Sequence, residues 1–268
     1  MNSDLLKRHL APILPEAWKL IDEEAKRVLA LHLGGRKVAD FKGPFGWTYA
    51  AVNTGRLALF SDAKSDTHLG LRRVQPLLEA RVPIKLAIME LDTVARGGDD
   101  PELGAVVEAA KKTAHVEDDA IFNGLEVAGI VGVLPSSPHP PIKLPADIVQ
   151  LPRAILDAKE VLTKAGINGP YALVLGAELY ERVFVATDDG HPIGHRIERQ
   201  IIERPIVRSQ AISDGVLMSV RGGDYELTVG EDLSIGYAYH TKHEVELYLA
   251  ESFTFRVLEP AAAVRFTR

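Results

Sequence analysis

The sequence contains no cysteine. That removes disulfide bridges, thiolate zinc sites, iron–sulfur clusters and cysteine nucleophiles in one step. No stretch approaches the ~20 consecutive apolar residues that span a bilayer. The opening "MNSDLLKRHLAPILPEAW" has its apolar run broken by charge and by two prolines, so it lacks the hydrophobic region of a signal peptide. The expectation is a soluble, cytoplasmic protein with no membrane partner. Basic charge is in deficit: 31 Lys and Arg against 37 Asp and Glu leave a net charge of −6. A chain that coats nucleic acid needs a cationic surface instead. Also missing are a G-x-S-x-G elbow, a Walker loop, a G-x-G-x-x-G turn and an H-E-x-x-H pair. No catalytic residue and no metal site can be assigned on this basis.

What is present is apolar mass. Hydrophobic residues make up 46% of 268 residues, enough for a large core. Pro15 suits a helix start, and Trp18, Ile21, Ala25, Val28, Leu29 and His32 fall on one stripe up to Gly34-Gly35. This leading helix needs a body to dock on. "RKVADFKGPFGWTYAAVNTG", residues 36–55, packs glycines and aromatics together. Gly43-Pro44-Phe45-Gly46 fits a β-turn with proline second and glycine fourth. A strand is expected over Trp47–Val52, a turn at Asn53-Thr54-Gly55 and a strand again from Arg56 to Asp62. Residues 61–70 read as an exposed tip. The span 48–75 therefore reads as a two-stranded arm with little to bury, and such a ribbon alone is barely stable.

Val82, Ile84, Leu86 and Ile88 alternate as a strand. From Pro101 to about 128 the stripe Leu103, Val106, Val107, Ala110, Ala114, Ile121 and Leu125 predicts one long helix. "LPSSPHPPIKLPA", residues 134–146, holds five prolines and reads as a semi-rigid connection. Helix, strand, helix and the loop "TDDGHPIGHR" then compose a small α/β unit. The end of the chain is rich in strands: Val245, Leu247 and Leu249 alternate with Glu244, Glu246 and Tyr248.

Candidate chemical groups are sparse. His191 and His195 flank a glycine-containing loop beside Asp188 and Asp189, where a metal is imaginable, although a polar loop is the simpler reading. His240 and His243 belong to a hairpin turn. Glu117, Asp118 and Asp119 run consecutively on the long helix and point in different directions, which predicts a solvated face. Arg36, Lys37 and Lys42 could hold an anion but read as structural. The prominent features are mechanical: an arm, a long helix, a hinge and an amphipathic leader.

These residues also carry a resemblance. "LLKRHLAPILPEAW", "GRKVADFKGPFGWTYAAVNTG", "MELDTVARG", "EDDAIFNG", "GPYALVLG", "RGGDYELTVGEDLSIGY" and "ESFTFRVLEP" follow in an order and spacing similar to the encapsulins, proteins that assemble into icosahedral compartments. The resemblance spans essentially the whole chain. It implies an α+β fold of the tailed-phage major capsid type (Hong Kong 97-like). Residues 1–35 would be a leading helix and arm. Residues 36–47, 76–134 and 210–268 would be the peripheral domain, 48–75 the extended loop, and 135–209 the axial domain. The resemblance implies no enzyme activity. The partners would be further copies of the chain, about sixty or a multiple for closed icosahedral symmetry. A cargo enzyme, a dye-decolorising peroxidase or a ferritin-like protein, would dock through its C-terminal peptide.

Two sites follow from it. The cargo groove would use Ile21, Ala25, Leu29, Arg36 and Asp40, with Asp232, Leu233, Ile235 and Tyr237 from "EDLSIGY". The five-fold pore would use Asp188, Asp189, Gly190, His191 and His195, where carboxylate rings favour cations and histidines add a pH dependence. Met89 stands where some relatives have tryptophan, a poorer stacking surface, so no cofactor is expected. Gly43–Trp47 would launch the extended loop, with Trp47 and Tyr49 as packing anchors. A DNA-packaging phage capsid protein shares the fold and is the runner-up; a hydrolase built on His191 or His195 is less favoured.

Overall fold

The computed structural model describes residues 5–61, 68–188, 190–202 and 204–268. Helix α1 spans Pro15–His32, with proline in its first turn and Trp18, Ile21, Ala25, Val28 and Leu29 buried, the stripe expected from sequence. Gly35 follows because the chain passes tightly over a later helix: a Cβ there would lie 2.3 Å from Ile121 Cδ1. Strand β1, Asp40–Lys42, comes next. The expected turn at residues 43–46 takes another form. Gly43-Pro44 is cis, Gly43 has φ +123°, and the Phe45 and Gly46 N–H groups donate to the carbonyls of Val229 and Gly230. The turn itself falls later, closed by Tyr49 N–H on the Gly46 carbonyl, so the strand starts at Ala51 rather than Trp47.

Strands β2 (Ala51–Ser61) and β3 (His68–Pro76) form the expected two-stranded arm. Asn53-Thr54-Gly55, expected as a turn, lies inside β2, where the register shifts between Asn53 and Leu57 and Gly55 takes φ +72°. A local bulge absorbs the same residues that a turn would use. Strand β4 is Leu78–Ala87, followed by α2, Ile88–Ala95, and α3, Gly104–Phe122. Helix α3 is shorter than predicted. Gly124 at φ +87° ends it, and β5 (Gly124–Leu125) pairs with β6 (Ile130–Val131) where the helix was expected to continue.

The proline-rich stretch is less of a free connection than its composition suggests. It contains α4 (Val133–Ser136) and β7 (Ile142–Lys143), and Ser137 Oγ and His139 Nε2 contact the carbonyls of Ala263 and Ala261. Beyond it come α5 (Leu151–Lys164), β8 (Tyr171–Gly176), α6 (Ala177–Val185), β9 (Thr187–Asp188), β10 (His191–Pro192), α7 (Ile193–Arg196) and β11 (Val207–Ser209). The last strands are β12 (Gly215–Ser219), β13 (Tyr225–Val229), β14 (Ser234–His240), β15 (Glu244–Val257) and β16 (Ala263–Thr267).

Two five-stranded sheets organise the chain. One runs β1-β13-β15-β14, with β4 also paired to β15; the other runs β11-β8-β12-β16-β7, so β12 and β16 lie in the sheet of the α/β unit. Two cores correspond. The larger fills the space around β8, β12, β13 and α5; the smaller lies between α1, α2, α3 and the β4-β15-β14 surface. Helix α3 serves both, with Val106–Ala114 in the smaller core and Ala120–Phe122 in the larger.

A candidate docking groove above a buried charge cluster

Helix α3 faces the end of α1 with two acids, because Glu117 and Asp118 sit on its packed side. Both are buried, at 0% and 1% exposure, which overturns the expected solvated face. Asp118 accepts the Gly34 and Gly35 N–H groups at 3.2 and 2.7 Å and the Ser209 hydroxyl at 2.7 Å. It thus ties α1, α3 and β11 at one point. Burial outweighs these bonds and pushes its carboxyl up to about 6.

Glu117 meets Arg36. The Arg36 guanidinium donates Nε and Nη2 to Glu117 at 2.8 and 2.7 Å, Nη1 to Asp232 at 2.8 Å and Nη2 to Glu251 at 3.2 Å. Glu251 is fully buried on β15, and its Oε1 has no hydrogen-bond partner among the described residues. Burial first, then the charge of Glu117, holds its carboxyl well above the usual range. One cation therefore neutralises one buried carboxylate, while the second is favoured in its neutral form. Burial works against the Arg36 charge, but Glu117 and Asp232 outweigh it and raise its pKa.

Above this cluster lies a groove of about 570 Å³ between the C-terminal half of α1 and residues 232–235. Six of the nine predicted residues line it: Ala25, Leu29, Arg36, Asp232, Leu233 and Ile235. The other three lie elsewhere. Ile21 is fully buried in the smaller core. Asp40 turns away, accepts Gly223 N–H at 2.5 Å and borders a separate small cavity. Tyr237 packs beside the smaller core; its hydroxyl meets His240 Nδ1 at 2.6 Å and its N–H donates to the Leu6 carbonyl at 2.8 Å.

Sequence reasoning missed Arg8, Asp22 and Lys26 at the groove. Arg8 bonds Asp22 at 2.7 Å and stacks 3.9 Å over Trp18. No local spacing signals that pair, since Arg8 precedes α1. Asp22 and Lys26, by contrast, were legible as the polar flank of the α1 stripe.

In the loop at residues 187–196, β9 and β10 pair antiparallel, and Gly190 takes φ +79°. Asp188, His191 and His195 border a cavity of about 600 Å³ together with Arg196 and Arg199. Asp188 is held by Arg196 at 3.2 Å, and His195 Nδ1 lies 3.5 Å from Glu198. Its charge is thus already matched within the chain. Asp189 lies outside the described residues. Among the described residues no group of three or more potential ligands could hold a metal, and no helix is long and apolar enough to cross a membrane. Met89, 70% exposed on α2, lies apart from both cavities.

Comparison with known proteins gives these sites a setting. The Linocin_M18 family, described as encapsulating protein for peroxidase, matches residues 2–254. The type 1 encapsulin shell protein of Rhodospirillum rubrum is 43% identical, covering 97% of this chain and 95% of that protein. That of Rhodococcus erythropolis is 41% identical over 97% of this chain and 98% of its own. Among solved structures, the virus-like particle from Pyrococcus furiosus superposes with a TM-score of 0.61 at 12% identity, over 92% of this chain and 98% of the other. The two-sheet body with its long helix α3 and arm is therefore the capsid fold expected from sequence. Relatives this similar over nearly full length are structural rather than enzymatic, and the chain belongs to the encapsulin shell protein family.

Proposed function

We propose that this shell protein encloses a cargo enzyme whose C-terminal peptide docks in the α1 groove. The observation that carries the reading is the groove's construction. Ala25, Leu29, Leu33, Leu233 and Leu249 give it an apolar lining, with Arg8–Asp22 near one end and Arg36–Asp232 near the other. Apolar pockets beside oriented charges suit a short peptide. A peroxidase is the first cargo to test, because the family description names one. The particle would work in the cytoplasm, with no bound nucleic acid. The DNA-packaging alternative gains nothing from relatives that are shell proteins of compartments.

The test fuses a fluorescent protein to the C-terminal tail of a dye-decolorising peroxidase from the same genome and measures capture by assembled shells. A ferritin-like tail is the second probe. Leu233→Asp is the informative variant, since Leu233 is half-buried and borders the groove, whereas Ile235 belongs to the core. Capture should fall by about tenfold or more, the effect of losing about 1.4 kcal/mol. Equal capture would remove the groove from cargo loading.

A second reading concerns the axial loop. Five copies of β9–β10 around a five-fold axis would line an opening with Asp188, Asp189, Gly190, His191 and His195. The Arg196–Asp188 pair means that the carboxylate at 188 is partly neutralised from within its own chain. Neutralising Asp188 and Asp189 together should slow cation entry into purified shells; unchanged entry would end the pore assignment.

A further inference from the structure

Among the described residues strand β14 pairs with β15 alone, so its second edge carries no further strand. That edge runs along the groove. The chain itself shows what the edge accepts: Tyr237 N–H donates to the Leu6 carbonyl at 2.8 Å, while the Tyr248 hydroxyl, on β15, reaches the neighbouring Leu5 carbonyl at 3.3 Å. The Tyr237 amide therefore points away from β15. In an antiparallel ladder the N–H and C=O of one residue point to the same side, and the side alternates along the strand. The register is unbroken from Ile235 opposite Leu249 to Tyr237 opposite Leu247; the irregularity comes after Tyr237. Ile235 N–H and C=O consequently face outward as well. Among the described residues neither has a backbone partner beyond the sheet.

Ile235 borders the groove although its side chain belongs to the smaller core. What it offers the groove is main chain. Two residues earlier, just before β14, Leu233 N–H is already taken by Asp232 Oδ1 at 2.8 Å. Length is also suitable. Asp22 and Leu33, both bordering the groove, are eleven positions apart on and just beyond α1. At 1.5 Å per residue this is about 16 Å, the reach of about five residues of extended chain.

We propose that the groove takes its peptide as an added β-strand on the β14 edge, paired with Ile235 N–H and C=O. The inference rests on the cargo reading above and specifies its mode. The fitting partner is an extended segment with a free amide, not a proline, opposite Ile235. Its alternate residues are small or apolar, because every second side chain of an added strand turns toward the Ala25–Leu29–Leu33 face of α1. Leu5-Leu6 and the incoming peptide then occupy neighbouring stretches of one edge.

The test uses assembled shells and the synthetic C-terminal tail of the peroxidase chosen for the capture experiment. One backbone amide at a time is N-methylated, and binding is read by fluorescence anisotropy. Hydrogen exchange at the Ile235 amide is followed with and without the unmodified peptide. The expected result is an alternating scan, with losses of about tenfold at every second position across the pairing stretch, and slowed exchange at Ile235. A flat scan with unchanged exchange overturns the added strand and leaves the cargo reading standing, because the unmodified peptide still binds. Failure of the unmodified tail to bind the parent shell overturns both.

Discussion

The arm and the Arg36 cluster invert the same rule in opposite directions. Folded chains bury apolar side chains and expose charged ones. In the arm, Leu59 is 76% exposed, and Leu57, Phe60, Leu69 and Leu71 are also exposed. Beneath the groove, Glu117 and Glu251 are fully buried. The cluster resolves its problem inside the chain, since Arg36 reaches both acids and Asp232. The arm cannot do so. Its two faces carry apolar residues that remain exposed among the described residues, and a two-stranded ribbon has no interior. The expected source of the missing surface is a neighbouring copy in an assembled shell. The subunit thus keeps its charge complementarity to itself and leaves its apolar complementarity to assembly.

The comparison breaks first at Arg36. Arg36→Ala leaves Glu117 and Glu251 buried without their cation, an arrangement that costs about 3–5 kcal/mol. The expected outcome is a large fall in the thermal midpoint and a loss of soluble shells. Glu251→Gln is the sharpening control. It keeps the shape and a neutral group where burial already favours the neutral form, so it should cost far less. Equal damage from the two would mean that Glu251 is held as a carboxylate.

The arm should respond in the opposite way. Leu59 and Phe60 are adjacent, so they lie on opposite faces of β2. Leu59→Asp and Phe60→Asp should each leave helix content and subunit melting close to the parent, because neither side chain is in a core. Sedimentation should instead shift from shells to small species. A subunit that unfolds with Leu59→Asp would erase the distinction between the two regions.

The next effect is graded by pH. Burial holds the Asp118 carboxyl at about 6 in the fold, against its ordinary 3.8 in the unfolded chain. As pH rises across this interval the unfolded chain releases its proton first, so folding stability declines; above about 6 both states are ionised and this contribution is constant. The shift corresponds to a total of about 3 kcal/mol. Glu251, also raised by burial and by the charge of Glu117, adds to the decline in the same direction. Denaturant midpoints measured at successive pH values should fall over that range, and Asp118→Asn should flatten the fall. A parent whose stability rises there would overturn the burial argument.

Much of this was legible, for physical reasons that differ by element. The α1 stripe and the alternation over residues 244–249 of β15 are periodic signals that survive folding unchanged, since α1 and that first half of β15 bury one face; from Leu249 to Phe255 β15 is buried on both. Helix α3 was over-extended because Leu125 continues its apolar spacing; the deciding residue was Gly124, whose positive φ carries no periodic signature. The acidic run was misplaced because its partners are remote. Arg36 lies 81 residues from Glu117 and 215 from Glu251. Charge read locally predicts solvent, whereas only the assembled sheets bring the cation to the acids. Six of the nine residues named through the family resemblance border this cavity. Arg8 escaped because its partners, Asp22 and Trp18, face it only after the chain doubles back.

The smallest expected effect belongs to Trp47, at the root of the arm. Sequence reasoning expects a packing anchor, yet the ring is half-buried and belongs to neither core. Its cation partner is shared: Arg81 lies 6.0 Å from the Trp47 ring, 4.8 Å from Tyr248, and bonds Glu79 at 2.7 Å. An exposed contact of this kind contributes about 0.5–1 kcal/mol. The neighbouring Phe45–Tyr49 ring pair, 4.7 Å apart, remains when Trp47 is removed. Trp47→Ala should therefore lower the subunit's melting point slightly. A matching small loss of assembly would make Trp47 part of the self-contained body. Loss of shells with an unchanged subunit midpoint would instead move it across the divide, into the surface that neighbouring copies complete.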